Sequence, residues 1–147
     1  GDGSYLMMNS DVYSSVLTGH KMIIIVCDNG GFAVINRLQN FKGGKSFNNL
    51  IQDCKVTKPF AVDFAQHAEA MGALVKQCEN LSDLETALEW ANETDRTTVI
   101  SIITDAYSWT PGDAAWDVGV PEISDKPEVT EARKHQDEIR SKQRIGV

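Results

Sequence analysis

Three short apolar segments, separated by stretches with helical patterning, constrain the fold of this chain most strongly. MIIIVC at 22–27 is continuously apolar and rich in branched residues, as a strand covered on both faces is, and TTVISII at 97–103 has the same character. ALVKQC at 73–78 is predicted as a shorter strand. Strands that alternate with helices imply right-handed crossovers and a parallel sheet with helices on both faces. The sequence therefore predicts an α/β fold of three layers, α/β/α, with a doubly wound parallel sheet.

Apolar residues at helical spacing, together with recognisable end signals, predict the helices. A glycine in a left-handed cap, an acidic N-cap and a Ser-x-x-Glu capping box supply those ends. The predicted helices are one between Tyr5 and Thr18 that ends at Gly19, one from the cap Asp63 to Gly72, and one that begins at the capping box of Ser82 and Glu85.

The pattern changes from Tyr107 onward, where no sustained period is visible and three of the four prolines lie. We therefore expect residues 1–106 to form the α/β domain and residues 107–147 to form an irregular arm and a charged tail. Trp109 and Trp116 are expected to anchor the arm, because two tryptophans are costly to leave in water. The closing EARKHQDEIRSKQR is charged nearly all round, which is typical of a solvated helix or a frayed tail.

Composition excludes several functional classes. The net charge of −7 repels phosphate backbones and anionic lipid, so neither nucleic acid nor a membrane is an expected partner. The three cysteines form no Cys-x-x-Cys pair, and an odd set suggests neither a disulfide framework nor a thiolate zinc site. No apolar run approaches the roughly 20 residues that span a bilayer. A cytoplasmic protein is expected.

Two polar residues are expected just past the carboxyl ends of strands. Asn29 follows the MIIIVCD segment, and Asp2 lies in a Gly-Asp-Gly turn of the kind that follows a buried strand. With a backbone carbonyl and phosphate oxygens, these carboxylate and carboxamide ligands would make an octahedral site for Mg²⁺ or Ca²⁺. Gly1 and Gly3 allow close backbone approach, and the amides of Gly3 and Ser4 can donate to an anion. The pattern indicates a metal that holds a diphosphate against a helix N-terminus.

This arrangement resembles the thiamine-diphosphate motif, in which Gly-Asp-Gly is followed some two dozen residues later by Asn. Here 25 residues lie between Gly3 and Asn29. The resemblance implies that Asp2, Asn29 and the main-chain carbonyl of Gly31 hold Mg²⁺, which in turn holds the diphosphate of the cofactor. It also implies that Gly3 and Ser4 face that diphosphate.

The segment after Asn29 departs slightly from the pattern of the family. The family often has an aromatic residue followed by Gly, whereas this chain has Phe32 followed by Ala33. The departure affects the local turn and not the ligands, and Phe32 is counted among the residues expected at the cofactor.

The order of elements after the motif is similar to that of the cofactor-binding domain of the acetolactate synthase and pyruvate decarboxylase superfamily. More narrowly, residues 1–39, WDVGVPE at 116–122 and the closing KHQDEIRSKQR resemble the C-terminal part of the trihydroxycyclohexane-1,2-dione hydrolases of bacterial myo-inositol breakdown. This likeness covers essentially the whole chain. It implies that the substrate is an inositol-derived cyclic diketone, whose ring ketone is attacked and whose adjacent C–C bond is then cleaved.

The same resemblance implies that a Glu which activates the cofactor sits on a different domain, usually in the partner subunit. No residue of this chain matches that Glu, so no catalytic residue is expected here. The chain would supply the diphosphate and metal half of the site and would be inactive alone. A homodimer or homotetramer is expected for the full-length protein.

The first residues carry an expectation about the ends of the chain. In this superfamily the Gly-Asp-Gly turn follows a strand that should be central, so we expect the chain to be the last part of a longer polypeptide. Without that strand, the segment at 22–27 would have an unpaired, hydrophobic edge that invites aggregation or pairing with another chain.

Two other functions remain open at this point. One keeps thiamine diphosphate but changes the reaction to acetolactate synthesis or 2-keto acid decarboxylation. The other is a non-catalytic module that retains the fold for subunit contact and binds nothing.

Further motifs have simpler interpretations. KGGKS at 42–46 has Gln39 where a phosphate-binding loop needs Gly, so a flexible surface loop is predicted. Cys27 is predicted to pack in the core, because no base lies near it in sequence. A lid role for the arm is also open. Surface or helix-capping roles, rather than metal ligation, are predicted for the separated histidines His20, His67 and His135.

Overall fold

A computed structural model of the chain describes residues 1–110 and 119–144. Helices and strands alternate along most of this length, as the sequence predicts. In chain order the elements are α1 (Asp2–Met7), α2 (Ser10–Thr18), β1 (Ile23–Asp28), α3 (Ala33–Phe41), a 3₁₀ turn (Ile51–Asp53), α4 (Phe64–Ala70), β2 (Leu74–Cys78), α5 (Leu81–Glu93), β3 (Thr98–Ile103) and α6 (Pro127–Lys142).

The described strands form one parallel sheet in the order β1-β3-β2. In the middle of this sheet, Ile100 of β3 pairs with Ile25 on one side and with Lys76 on the other. The predicted α/β fold with an open parallel sheet is confirmed. In the part of the chain that the structure describes, β1 has no strand partner on its other edge, where Ile23 and Ile25 are more than a third exposed.

Two hydrophobic clusters cover opposite faces of the sheet, because successive residues of a strand point to opposite sides. Val99 belongs to a cluster with residues of α1, α2 and α4, whereas the neighbouring Ile100 belongs to a cluster with residues of α5. The three-layer α/β/α arrangement is therefore observed. The first cluster contains Tyr5, Val12, Val26, Phe64, Ala68, Ala73 and Val99, and the second contains Cys78, Ala87, Ala91, Ile100 and Ile102.

The first predicted helix is in fact two helices, so that prediction is wrong in this detail. Met8 has φ −135° and ψ 28°, which ends α1 before α2 begins. The side-chain amide of Asn9 donates to the carbonyl oxygen of Leu6 at 2.8 Å and so satisfies a group at the end of α1. Gly19 has φ 70° and donates to Val16, as predicted for a left-handed cap.

The predicted capping box of α5 is also wrong, because the helix begins one residue before it. Asn80 is the N-cap, and its Oδ1 accepts from the backbone N–H of Asp83 at 2.9 Å. The Asp83 carboxylate accepts in turn from the backbone N–H of Glu79 at 3.1 Å. Asn is a strong N-cap, so the helix is capped at Asn80 and not at Ser82, two residues later, as predicted.

Helix α3 is missing from the sequence prediction. The residues buried on it include the polar Asn36, which is fully buried, and Leu38. A buried Asn in an otherwise mixed segment removes the apolar repeat on which a helix prediction depends.

The segment after β3 packs onto the domain. The Arg37 guanidinium lies 5.3 Å from the centre of the Trp109 ring and donates to the carbonyl oxygen of Thr110 at 3.2 Å. The predicted contact of Trp109 with the domain is thus observed, but 40% of its surface is exposed, and Trp116 lies outside the described residues. The charged tail forms the helix α6, on which Gln136 is buried and accepts from the backbone N–H of Val120 at 3.1 Å. The boundary predicted at residue 106 stays a prediction.

The N-cap of α4 is as predicted and yields a test of local stability. Asp63 Oδ1 accepts from the backbone N–H of Gln66 at 2.9 Å and from Nε2 of Gln77 in β2 at 2.8 Å. We expect Asp63→Ala to lower the free energy of unfolding by about 1 kcal/mol, measured by urea denaturation. Asp63→Asn is the matched control, because Asn caps helices equally well. Equal stability of the Ala and Asn variants would contradict this account.

Candidate functional site

Asp2 is the first residue of α1 and is almost fully buried, with 4% of its surface exposed. Its Oδ1 accepts a hydrogen bond from the backbone N–H of Asn29 at 3.2 Å. Asn29 directly follows β1, so the site lies at the carboxyl end of that strand. The closeness expected of these two residues is observed.

The turn after β1 is shaped by one side-chain hydrogen bond and by two glycines with positive φ. The Asp28 carboxylate accepts from the backbone N–H of Gly30 at 3.0 Å, which folds the chain back directly after the strand. Gly30 has φ 76° and Gly31 has φ 142°, conformations that L side chains rarely adopt. The turn thereby directs the carbonyl of Gly31 toward Asn29.

The Asn29 amide faces two acceptors at once. One of the two terminal atoms of this side-chain amide lies 3.0 Å from Asp2 Oδ1 and 3.0 Å from the carbonyl oxygen of Gly31. Assigned as the nitrogen, this atom would donate to both oxygens. A half-turn of the amide puts its oxygen there instead, and three oxygens then converge on one small volume. Such a set would repel itself unless a cation lay between its members.

This donor set suits a hard divalent cation. A carboxylate, a carboxamide oxygen and a main-chain carbonyl are ligands that Mg²⁺ and Ca²⁺ accept. Across residues 1–110 and 119–144 there is no group of three or more His, Cys, Asp or Glu that could hold a metal. With a single carboxylate, the candidate site would be completed by other oxygens, such as those of phosphate or water.

Gly3 lies tightly against the aromatic residue that follows the turn. A Cβ at Gly3 would lie 2.7 Å from Cε1 of Phe32 and 3.1 Å from the carbonyl oxygen of Gly31, so a larger residue would displace this ring. Gly3 is buried, whereas Ser4 is exposed. The first backbone N–H groups of a helix have no partner within it, and in α1 these belong to Asp2, Gly3 and Ser4.

A second segment fixes the turn from outside. Backbone N–H groups of Phe32 and Ile51 donate to Asn49 and Gly30, at 2.7 and 2.9 Å respectively. Gly31 and Leu50 form an isolated antiparallel bridge. Residues 49–51 are thus bonded to both sides of Gly31.

A cleft of about 710 Å³ opens beside these groups. Asp2, Asp28, Asn29 and Gln52 are its polar lining side chains, and the rest of the lining is largely apolar. Most of this lining does not follow from the sequence, because residues 50–62 show neither helical nor strand periodicity. The missed lining residues are Leu6, Leu50, Ile51, Gln52, Cys54, Val56, Pro59, Phe60, Ala61, Val62 and Phe64.

A comparison with known protein families agrees with the element order and this geometry. Residues 1–102 match the family described as thiamine pyrophosphate enzyme, C-terminal TPP binding domain. The chain belongs to this family.

Several curated relatives of this TPP-binding domain carry the name 3D-(3,5/4)-trihydroxycyclohexane-1,2-dione hydrolase. The protein of that name from Listeria innocua is 36% identical over 139 residues, which are 90% of this chain and 21% of the relative. Those from Bacillus licheniformis and Bacillus subtilis are 32% and 33% identical, over 95% and 90% of this chain and 22% and 21% of the relatives. The chain spans about a fifth of the length of the curated relatives it matches.

Of the remaining histidines and cysteines of the TPP-binding domain, one lines the cleft and the others lie apart from it. His20 and His135 are exposed on separate parts of the fold, whereas His67 faces Tyr5 of α1, a contact that the sequence analysis missed. Cys54 lines the cleft. Cys27 packs with the core beside α5, as predicted. Burial raises the pKa of the Cys78 thiol, with a further contribution from Asp83, so this cysteine keeps its proton.

The KGGKS segment is a packed loop that follows α3. A Cβ at Gly43 would lie 2.7 Å from backbone atoms of Glu128 and Val129 at the start of α6. A phosphate-binding loop lies between a strand and a helix, so the arrangement agrees with the surface loop that was predicted. None of the described helices is long and apolar enough to cross a membrane.

The two glycines of the turn allow a matched test. Gly30 and Gly31 both have positive φ, but a Cβ at Gly30 would meet open space, whereas one at Gly31 would overlap the carbonyl oxygen of Asn49. We expect Gly30→Ala to lower the free energy of unfolding by about 1 kcal/mol. Gly31→Ala should lower it by about 1–2 kcal/mol more, measured by urea denaturation. The reverse order would show that the segment at 49–51 does not constrain the turn.

Proposed function

We propose that this chain supplies the diphosphate- and magnesium-binding half of the active site of a thiamine-diphosphate-dependent hydrolase. In this proposal Asp2, Asn29 and the carbonyl of Gly31 hold Mg²⁺. The backbone amides of Gly3 and Ser4, with Phe32 beside them, face the diphosphate. The observation that carries the proposal is the approach of the Asn29 amide to two oxygens, Asp2 Oδ1 and Gly31 O, at 3.0 Å each.

Charge explains why a cation would be needed with the diphosphate. Asp2 and Asp28 both line the cleft, and both carboxylates would repel an anion. A divalent cation held by Asp2 would reverse the sign of that interaction. The unpaired N–H groups at the start of α1 add a smaller attraction for negative charge. We therefore propose that the diphosphate and Mg²⁺ bind together.

The apolar part of the cleft suits the ring system of the cofactor. Leu50 is buried, and Ile51, Val56 and Phe60 present apolar side chains toward the same space. Thiamine diphosphate supplies a thiazolium carbon that adds to a carbonyl and then stores the resulting electron pair. These side chains would exclude water around that ring and leave the polar lining residues to the metal and the diphosphate.

The names of the relatives support the choice of reaction. We propose that the full-length protein cleaves the C–C bond adjacent to a ring ketone of 3D-(3,5/4)-trihydroxycyclohexane-1,2-dione and that water completes the hydrolysis. The support is the identity of 32–36% to proteins of that name across 90–95% of this chain. We further propose that the cofactor-activating Glu lies on another domain, so that these residues alone are inactive. A cytoplasmic homodimer or homotetramer would bring the two halves together.

Cofactor binding is tested by removing the proposed carboxylate ligand. We expect the full-length protein to bind thiamine diphosphate in the presence of Mg²⁺ and Asp2→Ala to raise the Kd at least about a hundredfold, measured by isothermal titration calorimetry. Asp95→Ala is the matched control, since it removes an exposed carboxylate next to the opposite end of β3. Undiminished binding by Asp2→Ala would refute the metal site. No binding by the folded wild-type protein would favour a module without a cofactor.

The reaction is tested by comparing substrates on the same full-length protein. With thiamine diphosphate and Mg²⁺ present, we expect consumption of trihydroxycyclohexane-1,2-dione and release of a ring-opened acid, followed by mass spectrometry. Consumption of pyruvate with formation of acetolactate or acetaldehyde, and none of the dione, would favour a synthase or decarboxylase of the same superfamily.

A further inference from the structure

Helix α1 carries the proposed metal carboxylate but is too short to hold its own position. It has six residues and no side-chain bond at its N-cap. Isolated helices shorter than about 12 residues are marginal in water, so packing must fix the place and rotation of α1. Its break from α2 at Met8 removes the support that a longer helix would give.

Tyr5 is the residue through which α1 meets α4. It lies three positions after Asp2, so the two side chains share one face of α1. Tyr5 is 8% exposed and belongs to the core cluster on this side of the sheet. Its ring stands edge-on to Phe64, with ring centres 5.6 Å apart, and edge-on to His67 at 5.7 Å.

The hydroxyl of Tyr5 makes one specific polar contact. It lies 3.0 Å from Nδ1 of His67. Ring packing alone fixes how deeply Tyr5 enters the core, whereas this hydrogen bond also fixes its direction and hence the rotation of α1. Burial raises the pKa of the Tyr5 phenol, which therefore keeps its proton and its ability to donate.

His67 lies on α4, a helix that hydrogen bonds fix at its start and join to β2. Its backbone N–H donates to the carbonyl oxygen of Asp63 at 2.9 Å within α4. The Asp63 carboxylate caps that helix and also accepts from Gln77 of β2. The contact therefore links α1 to the sheet by way of α4.

We propose that Tyr5 and His67 are positioning residues that hold α1 so that the Asp2 carboxylate faces Asn29. Mg²⁺ demands near-ideal octahedral geometry, so a small rotation of α1 would weaken a metal site that includes Asp2. This inference rests on the proposed cofactor-binding function but also makes a claim about the protein alone. That claim is that the bond from the Asn29 N–H to Asp2 Oδ1 depends on the Tyr5 hydroxyl.

Amide hydrogen exchange at Asn29 tests that claim without any ligand. In the full-length protein we expect Tyr5→Phe to speed exchange at this amide by about three- to tenfold, the size of one buried hydrogen bond. Tyr13→Phe is the matched control, because it removes the hydroxyl of an exposed tyrosine on α2. Unchanged exchange at Asn29 in Tyr5→Phe would overturn the proposal.

Substitutions at His67 separate positioning from general stability. His67→Ala should raise the exchange rate at least as much as Tyr5→Phe does, because it also removes the ring contact with Tyr5, and the double variant should do no more than His67→Ala alone. His67→Asn should restore slow exchange, since an Asn side-chain amide can stand near the position of Nδ1 and hydrogen-bond the Tyr5 hydroxyl whichever group donates. Additive effects, or no rescue by a folded His67→Asn, would contradict a shared bond.

Cofactor binding distinguishes failure of this inference from failure of the proposed function. If the wild-type protein binds thiamine diphosphate with Mg²⁺, Tyr5→Phe should raise the Kd by about three- to tenfold. The control variant Tyr13→Phe should have the Kd of the wild type. Equal Kd values for Tyr5→Phe and the wild type would overturn the positioning role and leave the cofactor site standing. No binding by the wild type would overturn the cofactor site, whatever the exchange at Asn29 shows.

Discussion

The site depends on one constraint: three oxygen-bearing groups from two distant parts of the sequence meet at the carboxyl end of β1. Asp2 reaches it from α1, whereas Asn29 and Gly31 reach it from the turn that follows the strand. The Asn29 amide fills the space between two acceptors at 3.0 Å. Groups of this kind tolerate such closeness only with a proton donor or a cation between them.

Several neighbouring elements hold these three groups in place. Positive φ at Gly30 and Gly31 shapes the turn, and the segment at 49–51 bonds to it from outside. On the other side, Tyr5 ties α1 to α4 through His67. The apolar cleft beside the site is bounded by the irregular chain between α3 and α4. The sheet positions these elements, and the loops and the short helix α1 set the positions of the site residues.

The sequence predicts the frame well because buried parallel strands and capped helices leave strong local patterns. The predicted ranges 73–78 and 97–103 contain β2 and β3, and the range 22–27 includes all of β1 except its last residue, Asp28. The closeness of Asp2 and Asn29 also follows from sequence, since a crossover brings strand ends to one edge of the sheet. The break at Met8 and the helix α3 do not follow, because one depends on a local side-chain bond of Asn9 and the other buries Asn36. Nor could the contact between Tyr5 and His67 be predicted, as it joins two helices 62 positions apart without a shared pattern.

The central claim is that these three oxygen-bearing groups bind a divalent cation. The most direct measurement is a crystal structure of the full-length protein grown with Mn²⁺ and thiamine diphosphate, with the metal located by its anomalous scattering. The account predicts one peak at about 2.1 Å from Asp2 Oδ1, the side-chain oxygen of Asn29 and the carbonyl oxygen of Gly31, with phosphate oxygens completing the shell. A metal bound elsewhere, with the Asn29 nitrogen still donating to Asp2, would contradict it.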